Sequence, residues 1–367
     1  MIYMIYKNIL VVLKNLSFIA NITINNQIIS NITIVEDEWN GKYILMPPFI
    51  DSHTHGGYGV DFSQKIDFDS LNNYFKKLKD EGVGHIIPSF AATDLELIKN
   101  NIEFIDKHFS RYVLGYHIEG LLISKEKLGA HNSNYLTTAT QKTIDEINKI
   151  KTSKKIIFTI DPSNNENMNF IKHYNNQFIF SIGHSNASQL QTTQAIKNGA
   201  KKVTHLFNAM SGFSHSKNAG IVNEVLINFK ENIDEFNIEI IADGIHVIDD
   251  VLTFAFENIN INNIVVVSDS LAVKGLKDGY YKLGKIDIEK VGDVAYIKDT
   301  KTLAGSALTY NKIIDHLFKL NKLSFEDIVK ISSGNIWKLF PNISTESEIE
   351  RLKKAFIIVD KNFNIIH

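Results

Sequence analysis

PPFIDSHTHGGYG, residues 47 to 59, carries a short apolar run into two histidines one residue apart and follows them at once with glycines. If Met46 to Ile50 is a strand, period-two alternation sends His53 and His55 to the same face, close enough for two imidazoles to grip one ion. An isolated His-x-His is more often a pair of surface histidines in a turn, so the rest of the chain has to decide between the two readings.

Outward from this segment, short apolar runs alternate with longer stretches of helical period. VGHIIPSF, YVLGYHIEG, KIIFTID, FIFSIGHS, KKVTHLFN, IEIIADGIH and NIVVVSDS are separated by segments such as IDFDSLNNYFKKLKDEG and DLELIKNNIEFIDKHF. With the run before His53 they make eight strand candidates, the number that closes a (β/α)8 TIM-like barrel, expected here over residues 47–340. Before Pro47 the chain reads as β-branched alternation, NITINNQIIS and NITIVEDEWNGKYILM. The tail reads as a helix, SFEDIVKISSGNIWKLF, then a polar spacer and a last strand, AFIIVDKNFNII. A single strand cannot stand alone, so residues 1–46 plus 341–367 are expected to form one small β-sandwich domain built from both chain ends.

The composition narrows the chemistry. A chain of 367 residues is long for one unit and natural for a barrel of roughly 250 residues with an attachment. It holds no cysteine, so disulfides and thiolate metal sites are excluded, and any metal must be held by histidines and carboxylates. A net charge of -2 gives no sign of nucleic acid or of a membrane surface as a partner. The opening MIYMIYKNILVVLKNLSFIA is apolar but interrupted by Lys7, Asn8, Lys14 and Asn15, without a signal-peptide cleavage site, and implies strands in a cytoplasmic protein. Arginine occurs only at Arg111 and Arg351, which leaves few forks for binding anions.

In this reading the ionisable residues fall at strand ends. His53 and His55 end the first strand, Glu119 the third, His184 the fifth, His205 the sixth and Asp269 the eighth, while His246 follows the seventh. Barrel chemistry sits at the C-terminal face, so all of them converge on one mouth. His53, His55, His184 and His205 with Glu119 and Asp269 are an all-nitrogen-and-oxygen set suited to Zn, Fe or Mn. Each alone reads as an ordinary core or loop residue; the coincidence at one end of five strands favours a metal.

PPFIDSHTHGGYGVD, GYHIEGLLIS, KLGAH, IGHSNAS, THLFNAMSGF, IADGIHV, VVSDS and TLAGSAL together resemble the N-acetylglucosamine-6-phosphate deacetylases of the amidohydrolase superfamily, in order from about residue 45 to residue 310. The resemblance implies a metal-dependent hydrolase that releases acetate from a phosphorylated amino sugar. It implies Glu119, His184 and His205 as principal metal ligands, and His53 and His55 as the pair that holds a second ion in some members. Asp269 matches the catalytic aspartate. Asn208, Ala209 and His246 match contacts to the sugar phosphate, and His131 a residue that reaches the sugar or its acetamide. It further implies a homodimer in which an arginine of the neighbouring subunit helps to hold the phosphate.

The chain departs from the family pattern in three places. Gly120-Leu121 replaces a Gly-Pro, SKNAG at residues 216–220 replaces an Arg-Glu-Pro-Gly run, and Gly334-Asn335 replaces a Pro-Ala. Lys217 stands in the segment where the family places its arginine and is expected to take over its role across the dimer interface. Two rival readings stay open at this stage: a deacetylase of another N-acyl amino sugar or amino acid, and a catalytically dead barrel that binds without turnover.

Overall fold

The barrel begins at Phe49, three residues later than the alternation implied. Pro47 and Pro48 lack the N–H groups a ladder needs, and they cut the run in two. Ile44–Met46 joins a separate sheet, while β1 (Phe49–Thr54) opens the barrel. The computed structural model describes residues 3–283, 286–320, 322–340 and 347–367, so residues 341–346 of the expected small domain lie outside the described residues.

Seven further strands follow: β2 (Val83–Phe90), β3 (Gly115–Leu122), β4 (Lys155–Ile160), β5 (Ile179–Ile182), β6 (Lys202–Val203), β7 (Asn237–Ile241) and β8 (Ile264–Val267). They lie side by side in chain order, every neighbouring pair parallel. Runs such as Ile-Val-Val-Val in β8 are apolar throughout because parallel strands are covered on both faces. The cover is eight helices: α1 (Phe68–Asp80), α2 (Leu95–Phe109), α3 (Gln141–Ile147), α4 (Asn165–Tyr174), α5 (Gln189–Lys197), α6 (Ile221–Asn228), α7 (Asp249–Asn258) and α8 (Tyr310–Lys319). In α1 the buried residues are Leu71, Tyr74, Phe75 and Leu78, the 3-4 spacing of one helical face, and the Asp67 side chain caps the first turn by accepting from Ser70 N–H.

The ring is closed by the residues around the opening motif. Asp269 N–H donates to His53 C=O and His55 N–H to Ser270 C=O, each at 2.9 Å, which makes Thr54 and Ser270 bridge partners across the seam. One layer below, the buried carboxylate of Asp51 in β1 accepts Ser268 N–H at 3.1 Å and the Ser268 hydroxyl. Tyr310 O–H donates to Val266 C=O at 2.8 Å and holds α8 to the same seam.

Both chain ends meet in a second sheet, in the order Ile357–Val359, Ile44–Met46, Tyr3–Val12, Ser17–Asn25, Ile28–Ile34. Ile9, Val11, Ala20, Ile22 and Ile24 pack on one side with Leu352 of the helix Glu348–Lys354, whereas Val12, Ile44 and Met46 join the barrel core.

Two segments differ from the expectation. Gly279–Leu283, Ile286–Val291, Val294–Ile297 and Leu303–Ser306, inside the span assigned to the barrel alone, form a four-stranded antiparallel sheet between β8 and α8. The run 324–340 is not one α-helix: an α-turn, Phe325–Val329, widens into a π-turn, Lys330–Gly334, and tightens into a 3-10 turn, Ile336–Leu339. Asn335 explains the change, since its buried amide donates to Ile261 C=O and Ile264 C=O, both at 2.8 Å, and is drawn against the foot of β8. Among the described residues no helix is long and apolar enough to cross a membrane.

Asp51 is the acceptor that closes the seam from within. Asp51→Ala leaves two buried Ser268 donors without a partner and is expected to cost about 2 to 5 kcal/mol. Urea unfolding of the metal-free protein measures this, and a loss below about 1 kcal/mol would mean that Ser268 finds another acceptor.

Candidate active site

His184, His205 and Asp269 follow the C-terminal ends of β5, β6 and β8, and all three have left-handed backbones, with φ of 44°, 26° and 48°. Such conformations cost residues other than glycine roughly 1 to 3 kcal/mol each and persist only where the surroundings enforce them. Here the chain turns sharply out of each strand and swings the side chain over the mouth.

The side chains converge on Glu119, which is 1% exposed in β3. Its Oε1 lies 3.1 Å from His205 Nε2 and 3.3 Å from both His184 Nε2 and His53 Nε2, while Oε2 lies 2.9 Å from His55 Nε2 and 3.3 Å from His131 Nε2. Asp269 Oδ1 stands 3.4 Å from His53 Nε2 and 3.3 Å from His55 Nε2. His184 and His205 face each other through Nε2 atoms 3.0 Å apart. Arms of about 2.0 to 2.1 Å around a tetrahedral ion place its ligand atoms about 3.3 Å apart, so Glu119 Oε1, His184 Nε2 and His205 Nε2 have the spacing of one face of such a site.

The far nitrogens sort the histidines by role. A carbonyl or carboxylate oxygen accepts only, so a ring nitrogen facing it must carry the proton and leave the other nitrogen's lone pair free. His184 Nδ1–H donates to Lys127 C=O at 2.7 Å, His55 Nδ1–H to Ser89 C=O at 3.0 Å and His53 Nδ1–H to Glu239 Oε2 at 3.2 Å. With Nδ1 so committed, Nε2 is in all three the nitrogen turned to the centre, the one that would ligate an ion once any proton on it is displaced. His131 is reversed: its Nδ1 accepts Ala92 N–H at 3.1 Å, so its Nε2 carries a proton. Although Glu119, His131 and His184 are near enough to share an ion, this tautomer makes His131 a hydrogen-bond donor.

Charge follows the same geometry. Burial works against the ionised form of Glu119, but His53 and hydrogen bonds from His131, His184 and His205 hold its pKa well below the usual carboxylate range. Burial likewise opposes the charge of Asp269, and His53 and His55 outweigh it and keep the group ionised. Burial disfavours charge on His55, yet Asp269 and Glu119 push its pKa up to about 10. For His184 burial prevails and lowers it to about 4. In the metal-free protein protons on His53 and His55 thus balance the carboxylates, and an ion would replace them.

Above the cluster is a cavity of about 480 Å3, within the range of small-ligand sites. His131, Asn208, Ala209 and His246 line it. His246 Nδ1–H donates to Asp243 Oδ2 at 2.8 Å, which favours its charged form against burial and leaves Nε2 for a ligand. The TLAGSAL segment belongs to the inserted sheet. Ser306 N–H donates to Asp269 C=O at 3.1 Å, and Gly305, at φ +150°, passes where a Cβ would come within 2.8 Å of Leu271. Lys217 is exposed in the loop before α6 and does not line the cavity of its own chain. Lys301, in the turn between the last two strands of the inserted sheet, does line it.

Sequence reasoning missed Lys301, Glu239 and Lys202. The last two interrupt apolar strands in KKVTH and IEII and are fully buried; a charge inside a strand that should be apolar on both faces was the available signal.

Known proteins resemble this chain over most of its length. The family described as the amidohydrolase family matches residues 44–286. The N-acetylglucosamine-6-phosphate deacetylase of Caenorhabditis elegans is 30% identical over 88% of this chain and 80% of its own. That of Bacillus subtilis is 29% identical over 86% of this chain and 80% of its own. The crystal structure of the Thermotoga maritima N-acetylglucosamine-6-phosphate deacetylase has a TM-score of 0.84 to this chain at 26% identity, covering 99% of this chain and 97% of that one.

The ligand assignment predicts metal content directly. Glu119→Gln and His205→Asn should each abolish metal binding together with activity, whereas His53→Asn should cost less if one ion suffices. Elemental analysis decides it, and a Glu119 variant with full metal content would sink the assignment.

Proposed function

Since the chain belongs to the amidohydrolase family, among its N-acetylglucosamine-6-phosphate deacetylases, we propose that it is a metal-dependent hydrolase that converts N-acetyl-D-glucosamine 6-phosphate to glucosamine 6-phosphate and acetate. The observation that carries this reading is the Asp269 carboxylate, facing His53 and His55, in the same ligand-sized cavity as the Glu119, His184 and His205 donors. Those three donors would hold a divalent ion, with His53 and His55 available for a second. Nitrogen and carboxylate oxygen at tetrahedral spacing favour Zn, with Fe and Mn also compatible. When bound, the ion supplies Lewis acidity, which makes hydroxide available near pH 7.

The chain's own groups do the rest. Asp269 takes the proton of the attacking water as the carbon–oxygen bond forms, and it returns that proton to the amide nitrogen as the carbon–nitrogen bond breaks. Without it the amine leaves poorly. His131, protonated at Nε2, is assigned as a donor to the acetyl carbonyl oxygen, which gains charge in the transition state. His246, Asn208 and Ala209 are assigned to the phosphate end. A charged sugar phosphate as substrate supports a cytoplasmic location.

The test is acetate release by the purified protein from N-acetylglucosamine 6-phosphate and from the unphosphorylated sugar, with and without chelator. Release from the phosphorylated sugar that chelator abolishes is expected, and a metal-replete protein that releases none would overturn the reading. Asp269→Asn should lower turnover by about 10²- to 10⁴-fold. A variant near wild-type turnover would remove the assigned role.

Lys217 is assigned to the phosphate across a homodimer, because it is exposed and needs a second copy to reach a cavity. Exposed Phe213, Ile227, Ile248 and Phe254, in or beside α6 and α7, offer apolar surface for such an interface. Loss of one charge-assisted contact costs roughly 1.5 to 3 kcal/mol, so Lys217→Ala should reduce kcat/KM for the phosphorylated sugar by about 10- to 150-fold and leave the unphosphorylated sugar unaffected. If Lys301→Ala has that effect and Lys217→Ala has none, the phosphate is met within one chain.

A further inference from the structure

Glu239 lies in β7 beneath the cluster, walled off from solvent, and ties together three strands. Its Oε2 accepts Nδ1–H of His53 from β1 at 3.2 Å and the backbone N–H of His205, just past β6, at 3.4 Å. Its Oε1 pairs with the ammonium of Lys202 from β6, which is equally buried. An ion pair this deep is a poor means of stabilising a fold, because desolvating two charges offsets most of their attraction and an apolar pair of similar volume often does as well. The barrel interior therefore gains little from it as packing.

What the pair does hold is His53. The rings of His184 and His55 are fixed through Nδ1 by neutral backbone carbonyls, Lys127 C=O and Ser89 C=O; His53 has a full carboxylate instead. A carboxylate accepts a stronger hydrogen bond than a carbonyl and makes the imidazole behind it a more basic ligand. Lys202 on the other oxygen cancels the extra charge, so Glu239 can orient His53 without competing for a cation.

We propose that Glu239 and Lys202 form a positioning pair that fixes the tautomer and direction of His53, holding its Nε2 towards Glu119 and Asp269 as a metal ligand. The proposal rests on reading the cluster as a metal centre and is independent of the sugar.

Two double substitutions separate positioning from packing. Lys202→Met with Glu239→Gln removes both charges but keeps an acceptor for His53, and Lys202→Met with Glu239→Leu removes the acceptor as well. Each full-length protein is stripped of metal, titrated with Zn2+ against a chelating indicator and melted in its metal-free form. Zinc binding should weaken by about 10-fold in the glutamine variant and by up to about 100-fold in the leucine variant. The metal-free melting temperature should hold or rise. Affinities within about twofold of wild type, or a lower melting temperature with zinc affinity kept, would make the pair a fold element and overturn the proposal. If the leucine variant does not fold, the glutamine variant decides by the same criterion. Failure of the wild type to release acetate overturns the proposed function and leaves this result standing.

Discussion

One carboxylate, Glu119, has five imidazole nitrogens within 3.3 Å and is almost fully buried. Burying a charge in this way is unfavourable unless positive charge is brought to it, and the rest of the molecule is arranged to bring that charge and hold it. β1, β5, β6 and the loop after β3 deliver the imidazoles, and a belt of hydrogen bonds replaces the apolar filling expected under a barrel mouth. His117 reaches Thr159 at 2.7 Å, Thr159 reaches Thr204 at 2.8 Å, and Thr204 reaches Ser181 at 2.6 Å, all buried. A greasy layer at that level would leave the ligand-bearing residues without orientation.

Much of this was legible because it depends on short-range pattern. Continuous apolar runs such as IIFTI and IVVV, each followed by polar residues, announce a parallel barrel, and its C-terminal face gathers His53, His55, Glu119, His184, His205 and Asp269 without further information. What escaped depends on long-range geometry. That His131 donates while His184 accepts an ion follows only from which atoms face their Nδ1 nitrogens. The left-handed backbones of His184, His205 and Asp269 have only a weak local signature, since histidine and aspartate are enriched at positive φ but adopt it in a small minority of cases. The inserted antiparallel sheet was written in the alternation of YYKL and IDIEKV, but nothing local says that its last strand lies against Asp269.

That inserted sheet also alters how the mouth is built. In a plain barrel the loops after each strand enclose the site. Here a four-stranded unit between β8 and α8 lends Leu303, Ala304 and Gly305 of its last strand to the wall, with Lys301 from the turn before it, so one side of the cavity is a strand ladder. Rigid elements hold a ligand's position more tightly than loops do.

The seam between β1 and β8 carries a further consequence. The backbone bonds that close the ring run from His53 and His55 to Asp269 and Ser270, so the groups that make the centre are also the last stitches of the barrel. These partners are far apart along the chain, and such distant pairings form late in folding because the loop between them must first be organised. A nascent chain still lacking β8 has most of its helices and strands but neither Asp269 nor a closed ring. Competence to bind and hydrolyse therefore depends on this single seam being closed.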